Sequence, residues 1–242
     1  MIQVLFIGLT IGIVLGLVSI GGLLLAPILS YFLEIDLHYA MATSLWSFLF
    51  TGAAGTIAYA RRGAISWSIA GWLSLGIIPA TILGARTNIA LSTQTLTILL
   101  SLLIIVSAVN TLRRRSTTSD VMRTLHPPVL IAVGAVVGFG SALIGAGGAV
   151  FLLPILLFLN VPALIAIGIC QVVQLPVALF SSLGFVLYGE VNFVMGTGLG
   201  ILQALGVVIG ARIAHHLPTD RLRQVAAVAL ICVAILMFGR AL

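Results

Sequence analysis

Two glycine pairs hold the first chemistry this chain offers. Ser19–Leu29 reads SIGGLLLAPIL and Ala146–Leu156 reads AGGAVFLLPIL; each sets adjacent glycines inside apolar sequence and follows them with a short greasy segment holding a proline. Glycine lets the backbone turn sharply and approach a ligand closely. A helix that starts there presents unpaired N–H groups and the positive end of its dipole, where an anion is stabilised. Gly21–Gly22 and Gly147–Gly148, with Ser19 beside the first pair, are therefore candidates for an anion site built from backbone donors. The competing reading is close helix packing through small residues. Gly8, Gly12 and Gly16, like Gly134 and Gly138, have that spacing and read as packing positions.

Polar side chains inside apolar runs come next. Thr43, Ser44, Ser47 and Thr51 share one predicted helix, and Gln171 and Gln174 lie three residues apart on one face of another. A buried glutamine needs partners for both ends of its amide. These residues either line a polar site or tie helices together, the Ser and Thr through their own helix backbone. Gln203 and Asn192 stand behind them as weaker candidates. Arg86 and Arg212 suit bidentate contact with an oxyanion, or else snorkel at helix ends. His38, His126, His215 and His216 fall in predicted loops or at helix edges, without zinc spacing, and read as solvated. Cys170 and Cys232 lie in apolar runs and read as small fillers. No metal or cofactor is implied. Ser141 lies near the second turn, but no histidine lies deep in a span and there is no HExxH, so an intramembrane enzyme is not expected.

The elements that position these groups must cross lipid. Of 242 residues, 61% are hydrophobic and 7% charged, against about a quarter charged in a soluble domain. Apolar runs at Ile65–Ala85, Leu96–Val109, Val129–Ile144, Pro162–Leu187 and Gly196–Ala211 approach or exceed the ~18–20 residues that span a bilayer. The ten-residue alternation of a membrane β-barrel is missing. The chain reads as an all-α polytopic membrane protein. Its net charge of +6 comes from eleven arginines against five acids. The arginines cluster at the ends of apolar runs, where they set orientation, so nucleic acid is not an expected partner. MIQVLFIGLT lacks the basic start and cleavage site of a secretory signal and reads as retained.

Sliding the sequence on itself by 126 residues superposes Gly12 on Gly138, Gly21–Gly22 on Gly147–Gly148, Gly63 on Gly189, and Gly84–Ala85–Arg86 on Gly210–Ala211–Arg212. Pro27 and Pro154 fall one residue out of step. The reading is two copies, 1–115 and 127–242, joined by a linker at 116–126. The first divides into helices at Gln3–Val18, Gly22–Leu33, His38–Ala60, Ser66–Arg86 and Thr93–Leu112. The second of these is ~18 Å long, too short for a ~30 Å hydrocarbon core. The first two helices should form a broken or re-entrant hairpin, leaving three crossings per copy. An odd number of crossings inverts the second copy. Inversion places Arg61, Arg62, Arg113–Arg115, Arg123, Arg212, Arg221 and Arg223 on one face and only Arg86 and Arg240 on the other. The positive-inside rule then makes the linker region 113–126 cytoplasmic and both termini non-cytoplasmic, in the inner membrane of the cell. The polar site is asymmetric, because Leu45 and Phe48 stand in the first copy where the second has Gln171 and Gln174.

Inverted repeats with a broken element at corresponding positions point to a secondary transporter that binds its substrate at the repeat interface. The duplicated glycine turn with its proline, the G-x-[IV] that follows the third helix and the GAR triplet resemble the TauE/SafE family of sulfite and organosulfonate exporters. The resemblance covers nearly the whole chain. It implies a carrier of about ten helices for sulfur-containing oxyanions, with some relatives working as importers. The chain departs from the family pattern at SIGG, which is a shorter glycine run, and at Ala149, which takes a third glycine position. An anion channel of the same fold and a non-transporting membrane scaffold are the alternatives. All five acids lie in loops or at helix ends, so no carboxylate proton relay is expected.

Overall fold

The computed structural model describes residues 2–19, 22–96, 98–99, 102, 126–159, 161–187 and 191–216. Eight helices lie wholly among these: α1 (Ile2–Val18), α2 (Gly22–Leu33), α3 (Leu37–Ala60), α4 (Trp67–Ala90), α5 (Pro127–Ile144), α6 (Ala149–Phe158), α7 (Ala163–Val186) and α8 (Phe193–Ala214); residues 93–96 are helical as well. The described residues contain no strand. The expected helix at Thr93–Leu112 lies mostly outside them, as does the linker.

Helix starts follow local chemistry. The Asp36 carboxylate accepts from the His38 amide at 2.8 Å at the start of α3, and Asn192 accepts from the Met195 amide at 3.0 Å at the start of α8, each satisfying one orphan donor. Prolines open α5, where their missing N–H costs nothing. Helix α4 runs one turn beyond the expected Arg86, because Asn88 is buried and bonded to neighbouring elements rather than ending the helix.

The chain is an all-α polytopic membrane protein. Helices α4, α5, α7 and α8 are long and apolar enough to cross a membrane, with mean hydropathy of 1.6 to 2.2. Helix α3 is as long as α4, 24 residues or ~36 Å of rise, and carries buried Ser and Thr. Apolar side chains such as Leu75 and Leu83 on α4, and Ile201 and Leu205 on α8, face outward at helical spacing, as lipid-facing surfaces do. Helices α2 and α6 have 12 and 10 residues, ~18 and ~15 Å, short of the ~30 Å core.

Glycines set how the long helices meet. Gly12 lies on the backbone of Gln203 and Gly16 on that of Val207 and Ala211, while Gly138 lies on Ile77 and Gly134 on Leu73; any Cβ at these sites would collide with backbone. Pairs α1–α8 and α4–α5 therefore run parallel at close range. The two contacts are copies of one another with partners exchanged: Gly84 meets Phe139 and Ala142, and Gly210 meets Ile13 and Gly16. Each correspondence has the 126-residue offset. Helix α8 also runs parallel to α3, with Gly196 at Thr43 and Gly200 at Ser47. By contrast, α3 and α7 run antiparallel, since Thr51 meets Gln174 while Gly55 meets Gln171. It follows that α1 and α3 point the same way. The short α2 between them brings the chain back.

Candidate functional site

The second glycine turn joins α5 to α6, and the start of α2 meets it. After α5 the backbone is left-handed at Gly145 (φ 71°), Gly147 (φ 67°) and Gly148 (φ 84°). The Ser141 carbonyl accepts from both Gly145 and Ala146, closing the end of α5. At the position equivalent to Gly145 the first copy has Ser19, also left-handed at φ 58° and buried. Gly22, where α2 begins, lies against the Ala146 carbonyl and the edge of the Phe48 ring, and Gly147 lies against the same ring. Phe48 is fully buried between the two turns. Pro27 and Pro154 each stand sixth in their short helix, so the one-residue slip in sequence disappears in structure.

The amides beyond the second turn are free. Among the described residues, no group accepts from the N–H of Gly147, Gly148, Ala149 or Val150, all of which are buried. These are the orphan donors of a helix N-terminus held away from water. Gly148 faces Val177 of α7 and the Ser141 hydroxyl, and that hydroxyl donates to its own helix at Val137.

The polar side chains converge beside the turns. Gln171 Nε2 donates to the Leu15 carbonyl and to Ser19 Oγ, both at 3.0 Å, and so ties α7 to the end of α1. Gln174 Nε2 donates to Thr51 Oγ1 at 2.7 Å, with the Phe48 carbonyl at 3.5 Å. Ser44 and Thr51 donate to carbonyls of their own helix, at Ala40 and Phe48. Ser47 Oγ lies 2.7 Å from the Ser44 carbonyl and 3.3 Å from Gln203 Oε1. Thr43 Oγ1 accepts from the Asn192 amide at 3.3 Å. The oxygens of Gln171 and Gln174 are buried without a partner. Leaving such a group unpaired costs about 1–3 kcal/mol.

The candidates therefore separate. Ser19, Gly22, Gly147, Gly148, Gln171 and Gln174 come together at the meeting of the turns, joined through Thr51 and Phe48. Thr43, Ser44 and Ser47 are buried along α3; Thr43 and Ser47 meet α8, and Ser44 bonds its own helix. Gly21 lies outside the described residues. Arg86 and Arg212 are exposed, away from this buried cluster. Arg61 and Arg62 are exposed as well. The donors at the meeting point are thus neutral. The expectation of solvated histidines needs correction at two positions: His38 is half-buried with Nδ1 3.0 Å from Asn88 Oδ1, and His215 is half-buried with Nδ1 2.7 Å from the Ala211 carbonyl. Phe48 is the site residue that reading by polarity passes over. Its only sequence signal is that it occupies the repeat position of Gln174.

The family model described as Sulfite exporter TauE/SafE matches residues 4–237. The chain is 26% identical over 223 residues to the probable membrane transporter protein YdhB of Bacillus subtilis, covering 86% of this chain and 88% of that one. It is likewise 26% identical over 242 residues to a probable membrane transporter protein of Xylella fastidiosa (strain Temecula1), covering 95% and 92%. A third relative, the probable membrane transporter protein y4hK of Sinorhizobium fredii, is 35% identical over 123 residues, 49% of each chain. No solved structure matches.

Proposed function

The chain belongs to the TauE/SafE sulfite exporter family, a family of membrane transporters, and on that premise we propose that it carries small sulfur-containing oxyanions, sulfite or an organosulfonate, out of the cell. One observation carries the reading: two glycine turns meet around Phe48, and the buried amides of Gly147–Val150 are left without acceptors. An anion placed there completes them without a counter-cation. Backbone donors in a low-dielectric site bind charge more strongly than they do in water. Gly21, Gly22, Gly147 and Gly148 supply the amides, and Ser19, Gln171 and Gln174 the polar wall. Thr43, Ser44 and Ser47 line the approach. Arg86 and Arg212 act at the membrane surface, where they draw anions toward the carrier.

The repeats 1–115 and 127–242 are inverted with respect to each other, joined by a cytoplasmic linker at 116–126, with both termini on the other side of the inner membrane. The antiparallel run of α3 and α7, which occupy the same place in the two copies, supports this arrangement. So does the exchange of partners between α1–α8 and α4–α5. One half rocking on the other would open the turns alternately to each side. No catalytic step is involved. Binding at the turns, reorientation and release suffice.

With the cytoplasm negative, each exported monoanion gains ~2.3 kcal/mol per 100 mV, enough for downhill export without a carboxylate relay. Flux of a labelled sulfonate from proteoliposomes, with and without an imposed potential, tests the proposal. Flux should rise when the compartment corresponding to the cytoplasm is made negative. Voltage-independent flux that strictly needs a proton or sodium gradient would contradict it, and currents far above carrier turnover would make the protein a channel.

A further inference from the structure

The donors explain why an oxyanion would bind; two unpaired acceptors on α7, on side chains tied to Ser19 and Thr51, say something more about it. In each glutamine the amide orientation is fixed by its partners. Gln171 Nε2 faces the Leu15 carbonyl, which only accepts, so the amide oxygen cannot be the group placed there. Thr51 Oγ1 donates to the Phe48 carbonyl at 3.1 Å and accepts from Gln174 Nε2 at 2.7 Å. Both oxygens are then left buried and unpaired, Gln171 being anchored at Leu15 and Ser19 of the first turn and Gln174 at Thr51 of α3, beside Phe48. A spherical oxyanion with acceptors alone would satisfy the free amides and be repelled by these oxygens.

We propose that the ligand carries its own hydrogen-bond donor: an oxyanion with an O–H or N–H in the same small molecule, its charged oxygens on the amides of the second turn and its donor on Gln171 Oε1 or Gln174 Oε1. The inference rests on the oxyanion reading and narrows it. It also assigns the asymmetry a task. The first copy has Leu45 and Phe48 at these positions, so donor recognition falls to α7. The arginines among the described residues fit as well, since Arg61, Arg62, Arg86 and Arg212 are all exposed.

Matched probes test this on the purified full-length protein by calorimetry: ethanesulfonate against 2-hydroxyethanesulfonate, and methanesulfonate against hydroxymethanesulfonate. Each pair differs by one hydroxyl. In at least one pair the hydroxylated member should bind about tenfold or more tighter, the gain expected when a buried acceptor is filled. Gln171→Met or Gln174→Met should shrink that preference to about twofold while still binding ethanesulfonate. The wild-type comparison decides even if those variants do not fold. Equal affinities within both pairs would hand the two oxygens to water and overturn the inference while leaving the oxyanion reading intact. Equal affinities that tighten when sodium replaces choline would assign the oxygens to a cation and overturn it also. Binding of none of the four, and none of sulfite run beside them, would overturn both readings.

Discussion

The first turn (Ser19–Gly22) and the second (Gly145–Gly148) follow one backbone plan with different side chains. In each copy a long helix is followed by a left-handed residue, Ser19 or Gly145, and the next helix is too short to cross a membrane. The second copy uses glycine at the left-handed position, whereas the first uses Ser19, for which that conformation is uncommon. The hydroxyl accepts from Gln171, which gives the strained residue a reason to be there. Deeper in, Phe48 fills the gap between the turns and its repeat counterpart Gln174 supplies an amide. On the proposed reading, backbone symmetry builds the site, and side-chain asymmetry gives it a wall on one side and recognition on the other.

Exchanging features between the halves should expose this division, and the contacts they share set the largest effect. Gly84→Val and Gly210→Val push a side chain into equivalent backbone contacts, with Phe139 and with Ile13. Both should destabilise by about 3 kcal/mol or prevent folding, since overpacking at backbone has no flexible neighbour to yield. Similar losses of monodisperse protein from detergent would bear out the exchanged pairing; one tolerant site would break it. At the left-handed positions the exchange should be unequal. Gly145→Ser adds a Cβ that runs into Met41 and a strained φ, costing about 1–3 kcal/mol. Ser19→Gly relieves strain by about 1 kcal/mol but removes an acceptor from Gln171, so its melting temperature should change little while sulfonate affinity falls. Phe48→Ala should lower thermal stability by about 3 kcal/mol through the cavity it leaves, and proteoliposomes bearing it should leak sulfonate in the absence of exchange. Smallest of all, Arg86→Gln and Arg212→Gln should leave affinity at saturating salt within about twofold, because exposed charges act mainly on encounter. A tenfold loss would bring those arginines into the site.

Much of this was legible in the residues. Gly21–Gly22 and Gly147–Gly148 could be recognised because a glycine pair inside an apolar run has few uses other than a turn or close approach. The short lengths of α2 and α6 follow from their flanking residues, and the 126-residue offset from the GAR triplets. Gln171 and Gln174 stand out because polar amides are costly in apolar surroundings. Phe48 did not stand out, since apolar periodicity says that a face is buried and not what it is buried against. Ser19 was visible only as a neighbour of glycines; its left-handed backbone depends on Gln171, a residue 152 positions away. The two paired arginines were legible as a repeat. Their duplication reflects equivalent helix ends, and at those ends Arg86 and Arg212 are exposed.

The central claim is that the amides of the turns face an anion. Isotope-labelled glycine amides read this directly by nuclear magnetic resonance on the protein in lipid, with sulfite and a sulfonate added in turn. Gly71 and Gly198, which have nothing around them, serve as internal references. Shifts at Gly147 and Gly148 that saturate with the anion, with Gly71 and Gly198 unmoved, are the predicted result. Unmoved turn amides in a preparation that still transports the same anion would contradict it.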